Sequence, residues 1–183
     1  KIINEKLIAI IRGTDQYHCL KTAEALCDGG ICLIEVTFNQ KDPASFQETA
    51  GTIQAIQQKF AGAIFPGAGT VMTEEQINLA ADAGAQYIIS PDVNQTIIRR
   101  ARSLGLVSMP GALSPSEIVQ AYQWGADFVK VFPASSLGCD YIKAIKAPIS
   151  HIPLMAVGGI NANNLQGFLH AGCIGAGLGG NLV

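Results

Sequence analysis

A small parallel (β/α)8 barrel is the fold this sequence predicts, and three observations predict it. Short apolar runs of strand length alternate along the whole chain with longer stretches whose apolar residues recur at helical spacing. The units are nearly equal, roughly 20–25 residues each, which favours closure into a ring over an open sheet. Gly-containing turns precede the strands at Asp28-Gly29-Gly30, Ala83-Gly84-Ala85, Leu104-Gly105-Leu106, Trp124-Gly125-Ala126 and Ala171-Gly172-Cys173; from Gly84 the next two follow at 21 and 20 residues. Gly there relieves the left-handed position that ends a helix. The competing architecture, an open doubly wound sheet, lacks its Gly-x-Gly-x-x-Gly turn after the first strand.

The elements follow in order. Strands are expected at residues 7–12, 32–38, 63–65, 86–90, 106–109, 127–132, 153–157 and 173–177. The helix at 15–27 carries Cys19, Leu20, Ala23, Leu26 and Cys27 on one side. The helix at 43–60 opens on Pro43, suited to a first turn, and aligns Phe46, Ala50, Ile53, Ile56 and Phe60. Thr73-Glu-Glu-Gln76 and Ser114-Pro-Ser-Glu117 are capping boxes that open two further helices. Helices are also expected at 95–104, 140–146 and 161–170. Eight strands and only seven full helices are counted, so the helix expected after Gly180-Asn181-Leu182-Val183 is missing; the natural chain is expected to continue past Val183.

Composition sets the outer limits. A chain of 183 residues with no linker and no low-complexity segment is expected to form one domain over 1–183. At 49% hydrophobic and 14% charged residues, with mean hydropathy +0.29, disorder is excluded as the main state. A net charge of −2 gives no basic footprint for nucleic acid and no polybasic membrane patch. No apolar run reaches the ~18 residues of a membrane span, and the charged start Lys1-Ile2-Ile3-Asn4-Glu5-Lys6 does not read as a signal peptide. Cys19, Cys27, Cys32, Cys139 and Cys173 form no Cys-x-x-Cys pair and read as free thiols in a reducing cytoplasm. His18, His151 and His170 show no metal-ligand spacing, so no metal is expected.

Two charges stand inside apolar strands: Glu35 in Leu-Ile-Glu-Val-Thr and Lys130 in Phe-Val-Lys-Val-Phe. Alternation puts Leu33, Glu35 and Thr37 on one face, and Phe128, Lys130 and Phe132 on one face. The second and sixth strands are both even, and a barrel layer draws its side chains from alternate strands. Both residues lie toward the C-terminal strand ends, where barrel active sites sit. Apolar walls lower a lysine pKa, and a neutral amine forms a Schiff base with a carbonyl. A carboxylate beside it can shuttle protons. Two bland alternatives stay open: a buried ion pair, or a register that turns one of them outward.

The rim fits such a site. Arg12 ends the first strand and is suited to hold a carboxylate. Gly67-Ala-Gly-Thr70 is read as the turn after the third strand, offering backbone N–H groups and a hydroxyl; a plain tight turn explains it equally well. Pro91, Pro110 and Pro133 each follow a strand closely. Gly158-Gly159 and Gly177-Leu-Gly-Gly180 are read as following the seventh and eighth strands, where barrels bind phosphate.

With these residues in place, the sequence resembles the 2-keto-3-deoxy-6-phosphogluconate (KDPG) and 4-hydroxy-2-oxoglutarate (KHG) aldolases, including the 6-phosphogalactonate variants. The resemblance is carried by Ile-Ile-Arg12-Gly13, Ile34-Glu35-Val-Thr37, Gly67-Ala-Gly-Thr70-Val71, Ile89-Ser90-Pro91, Met109-Pro110-Gly111, Phe128-Val-Lys130-Val-Phe132-Pro133-Ala134, Val157-Gly158-Gly159-Ile160 and Gly177-Leu-Gly179-Gly180. It implies a metal-independent class I aldolase without a cofactor, usually a homotrimer, acting on a small keto acid phosphate. Lys130 matches the Schiff-base lysine and Glu35 the proton-shuttling glutamate. Arg12, Thr70, Pro91 and Phe132 match contacts to the pyruvate portion, and Gly158, Gly159, Gly179 and Gly180 the phosphate end. Gluconate-type cleavage to pyruvate and glyceraldehyde 3-phosphate is the first expectation. The chain departs from the pattern at Gly180, where the family often has Ser, at Asn39, where some members have Arg, and at Val157, where many gluconate-type members have Thr. The segments around Val157 and Gly177 look galactonate-like and Glu35-Val-Thr37 gluconate-like, so the sugar configuration stays open, as does KHG activity. An acid–base isomerase or synthase barrel, and a sugar-phosphate sensor, are the competing functions.

Overall fold

In the computed structural model, which describes residues 1–183, parallel strands form a ring with helices outside it. The strand segments are β1 (Leu7–Ile11), β2 (Leu33–Thr37), β3 (Phe65–Gly69), β4 (Tyr87–Ile89), β5 (Val107–Met109), β6 (Gly111–Ala112), β7 (Val129–Val131), β8 (Leu154–Val157) and β9 (Gly175–Leu178). Helices α1 (Ile2–Glu5), α2 (Gln16–Asp28), α3 (Phe46–Lys59), α4 (Glu74–Asp82), α5 (Gln95–Ser103), α6 (Pro115–Gln123), α7 (Ala134–Lys146) and α8 (Leu165–His170) precede or connect them. The pairing order is β5-β4-β3-β2-β1-β9-β8-β7-β6, every pair parallel.

The two ends of that order, β5 and β6, are consecutive in the chain and flank Pro110. Together they are the fifth expected strand, split because proline has no N–H to give a ladder. Before the break the strand pairs with β4, and after it with β7. The Pro110 carbonyl still accepts from Lys130 N–H at 2.9 Å, and Asp127 Oδ2 accepts from Ser108 N–H at 2.8 Å. The ring is therefore the expected eight-stranded barrel, closed by one strand that hands over from one neighbour to the other.

Alternation sorts the side chains. Outward-facing Ala9, Ile34, Val36, Ala68 and Ile88 join Cys19, Ala23, Ile53, Ile56 and Ile77 from the helices in one buried layer. Val129, Val131, Leu154, Ala156 and Ala176 do the same with Ile118, Ile142 and Phe168 on the other side. Inward-facing Ile8, Leu33, Tyr87, Ile89, Met109, Phe128 and Met155 fill the lower barrel, and Ile2 of α1 joins them from below. The residues above this plug are the ones left free for chemistry.

Both expected capping boxes form. Gly84, Gly105, Gly125 and Gly172 follow their helices with positive φ, as the turn reading required. Several boundaries move. The stretch 43–45 is a 3-10 turn, and α3 starts only at Phe46. Helix α7 starts at Ala134, six residues earlier than expected, because an extended Gly138 (φ 80, ψ 171) interrupts a helix that the periodicity shows only after it. Helix α8 starts at Leu165 rather than near 161.

Two corrections bear on function. The third strand runs Phe65–Gly69, so Gly67-Ala-Gly is strand and not turn. Likewise β9 runs Gly175–Leu178, so Leu178, one residue past the expected strand end, is strand, and only Gly179 and Gly180 follow it. Glycine is a poor strand former, which is why both segments read as loops. The glycines of β3 are explained by the side chains that pass over them.

Candidate active site

Above the plug, the C-terminal mouth of the barrel holds a cavity of about 510 Å³. All ten expected site residues line it. Lys130 and Glu35 come from β7 and β2, facing inward as the alternation required. Thr70 and Pro91 follow β3 and β4, across the ring from Gly158 and Gly159 after β8 and from Gly179 and Gly180 after β9; Arg12 follows β1 beside β9, and Phe132 follows β7 against Gly158. Ile10, Val157, Ile160, Gly177 and Asn181 also line it. Of these, Ile10 was legible from strand alternation with Arg12; Asn181, which donates to the Ile160 carbonyl at 3.3 Å, carried no pattern.

Lys130 is 7% exposed and Glu35 3%. Burial pulls the Lys130 pKa below the usual lysine value; Glu35 and Asp92 oppose that shift, and Arg12 reinforces it. Burial pushes the Glu35 pKa up, against the pull of Lys130 and Arg12. The two groups feel each other's charge, yet neither takes part in an ion pair, so the bland alternative of a closed buried pair is not what forms. The Lys130 Nζ sits 4.9 Å from the Phe132 ring centroid. The Arg12 guanidinium also has no carboxylate partner in the chain.

Glu35 owes its position to Gly69. A Cβ on Gly69 would lie 1.8 Å from Glu35 Oε1 and 2.5 Å from its Cγ. The carboxyl thus occupies the space a side chain on β3 would fill. Gly67, two residues earlier on the same face, leaves room in the same way for the Tyr87 ring, 2.1 Å from its hypothetical Cβ. The buried Tyr87 hydroxyl has no partner, and its pKa is raised by burial and by the Glu35 charge. The strand glycines therefore serve side chains crossing the barrel, not backbone contacts to a ligand.

The facing wall has different backbone. Gly158 and Gly159 have φ of 95° and 72°, a pair of left-handed residues that turns the chain sharply after β8. Ser135 N–H donates to the Gly158 carbonyl at 3.0 Å, which ties this turn to the start of α7. His18, His151 and His170 lie away from the cavity: at the first turn of α2, in the loop before β8 and at the end of α8. The five cysteines are free thiols.

A parallel barrel whose mouth gathers a buried amine, a buried carboxyl and an unpaired guanidinium in one cavity is built as enzyme active sites on this fold are. The whole chain, residues 1–183, matches the KDPG and KHG aldolases, and it belongs to that family of aldehyde-lyases. It is similar to the 2-dehydro-3-deoxy-6-phosphogalactonate aldolase of Escherichia coli (strain K12), 37% identical over 96% of this chain and 83% of that protein. It is also similar to the 2-dehydro-3-deoxy-phosphogluconate aldolase of Treponema pallidum, 37% identical over 80% of this chain and 67% of that protein. Among solved structures, the KDPG aldolase of Legionella pneumophila with pyruvate captured at low pH as a covalent carbinolamine superposes with TM-score 0.86, at 28% identity, over 97% of this chain and 84% of that one. No helix is long and apolar enough to cross a membrane.

Proposed function

We propose that the chain cleaves a 2-keto-3-deoxy-6-phospho sugar acid by Schiff-base catalysis on Lys130, with Glu35 moving the protons. The observation that carries this is the pairing of a buried, pKa-lowered amine with an unpaired buried carboxyl in one cavity. The Lys130 amine adds to the C2 carbonyl, and loss of water leaves an iminium. Glu35, as carboxylate, takes the proton of the C4 hydroxyl. The C3–C4 bond then breaks, its electron pair flows into the iminium to give an enamine, and the aldehyde departs. Protonation at C3 and hydrolysis release pyruvate and the free lysine. The raised Glu35 pKa makes the same group a competent donor for the return step. Arg12 pairs the substrate carboxylate, with Thr70, Pro91 and Phe132 around the pyruvate end. The backbone at Gly158, Gly159, Gly179 and Gly180 takes the phosphate.

For the sugar configuration, the galactonate reading has more support than the gluconate reading placed first by the sequence. The phosphogalactonate aldolase of Escherichia coli is 37% identical over 96% of the chain, against 37% over 80% for the phosphogluconate enzyme of Treponema pallidum and 31% over 92% for that of Haemophilus influenzae. Val157, where many gluconate-type members carry Thr, lines the cavity with methyl groups instead of a hydroxyl.

Two measurements test this. Incubation with pyruvate and borohydride is expected to give one reduced adduct, located by mass spectrometry on Lys130; active protein without an adduct there would refute the Schiff base. Cleavage of the two C4 epimers is expected to favour the galactonate by about tenfold in kcat/KM, the scale of one hydroxyl or methyl contact. A gluconate preference would reverse the assignment.

A further inference from the structure

The two capping boxes close on different residues, and that difference leads into the active site. At α6 the box closes with Glu117, whose Oε2 accepts from Leu113 N–H at 2.8 Å and Ser114 N–H at 2.7 Å. At α4 it closes with Gln76, whose Oε1 accepts from Met72 N–H at 2.7 Å and Thr73 N–H at 3.2 Å. A carboxylate is the stronger partner for two such donors. Glutamine offers something else: an NH2 on the same planar group, which a carboxylate lacks.

That NH2 is used. Gln76 is fully buried, and its Nε2 donates to Gln40 Oε1 at 3.1 Å. Gln40, in the loop after β2, donates from its own Nε2 to the Thr70 carbonyl at 2.6 Å. The direction of the relay is forced. Two backbone N–H groups fix which end of Gln76 is oxygen, so its nitrogen faces Gln40; Gln40 must then turn its oxygen back and its nitrogen forward. Thr70 is the residue it reaches, and Thr70 lines the catalytic cavity with φ +55°. A β-branched residue rarely holds a left-handed conformation, which is strained and persists only where the surroundings impose it.

We propose that Gln40 and Gln76 are positioning residues: their amide relay holds the left-handed Thr70 so that its hydroxyl faces the pyruvate end of the cavity. This rests on the aldolase reading above and adds two residues outside the cavity to it. The relay also makes glutamine, rather than glutamate, the required third helical residue of the α4 box.

The test uses Q76E and Q40E, each nearly isosteric. Q76E keeps an oxygen to accept from Met72 and Thr73 N–H and replaces the onward donor by a second carboxylate oxygen, so Gln40 is expected to reverse and present its oxygen to the Thr70 carbonyl. Q40E removes the second donor directly, at an exposed position where folding is not at risk. Both are expected to raise the pyruvate concentration for half-maximal borohydride trapping, and the substrate KM, by about tenfold, the loss of one well-placed hydrogen bond. Inhibition by inorganic phosphate, read at the opposite wall, is expected to stay within twofold, and Q40A to behave as Q40E. Trapping unchanged in both Glu variants would overturn the relay while leaving the aldolase reading intact. Equal weakening of pyruvate and phosphate would also overturn it, as a merely structural effect. Failure of the parent protein to trap pyruvate at Lys130 would instead sink the aldolase reading.

Discussion

Lys130→Met is expected to abolish aldol cleavage and, at neutral pH, to make the protein more stable. Removing the amine removes the covalent intermediate, and losses for a covalent nucleophile run to roughly 10⁴-fold or more in kcat. The stability gain follows from burial. Lys130 is 7% exposed and its pKa is held below the usual lysine value chiefly by desolvation. A lysine of lowered folded-state pKa binds fewer protons in the native than in the unfolded chain. Stability of the parent protein therefore rises with pH through the window between the folded value and the unfolded ~10.4. Below that window the full penalty is present; above it, none. Met has no such penalty at any pH, so the variant's advantage in urea midpoint is expected to shrink as pH rises through that window toward ~10. A variant that still cleaves substrate within tenfold of the parent would remove Lys130 from the mechanism. An advantage that grows with pH would mean that the amine is not destabilised by its site. The expected pattern is the usual exchange of stability for function at a catalytic group.

The residues most readable from the sequence are those that break a rule. A charge in the middle of an apolar strand has no cheap structural explanation, so Glu35 and Lys130 announced themselves, and period-2 alternation was enough to place both inside the barrel. Gly84, Gly105 and Gly125 were legible as helix ends because a positive φ after a helix is a local requirement. Gly67 and Gly69 were misread for the same reason: a glycine in a strand looks locally like a turn, and its cause lies on another strand. Pro110 followed this pattern too, since the proline that ended the expected fifth strand instead marks where that strand changes neighbours. Gln40 had no local signature at all; its partners are thirty and thirty-six residues away. Local chemistry was legible, then, and contacts made across the barrel were not.

Gly69→Ala is the sharpest consequence of such a contact. Its methyl group would stand 1.8 Å from Glu35 Oε1 and 2.4 Å from Cδ, distances no packed atoms adopt. The φ of Gly69 is not in the left-handed region, so alanine fits the backbone and the conflict is with the carboxyl alone. Two responses are open. The strand β3 shifts, which costs about 1–3 kcal/mol as overpacking does, or Glu35 swings away. Neighbouring β2 and β4 pair with β3 and hold it, so the side chain is the softer element. A displacement near 1 Å of a proton-transfer group costs about 10²-fold in rate, and that loss in kcat is expected here, with pyruvate trapping on Lys130 reduced less than cleavage. The decisive measurement is a double-mutant cycle. Glu35→Ala is expected to lose about 10²–10⁴-fold on its own, and adding Gly69→Ala to it should cost less than about threefold more, because the group it displaces is already gone. If the two losses multiply instead, Gly69 acts through the barrel and not through the carboxyl.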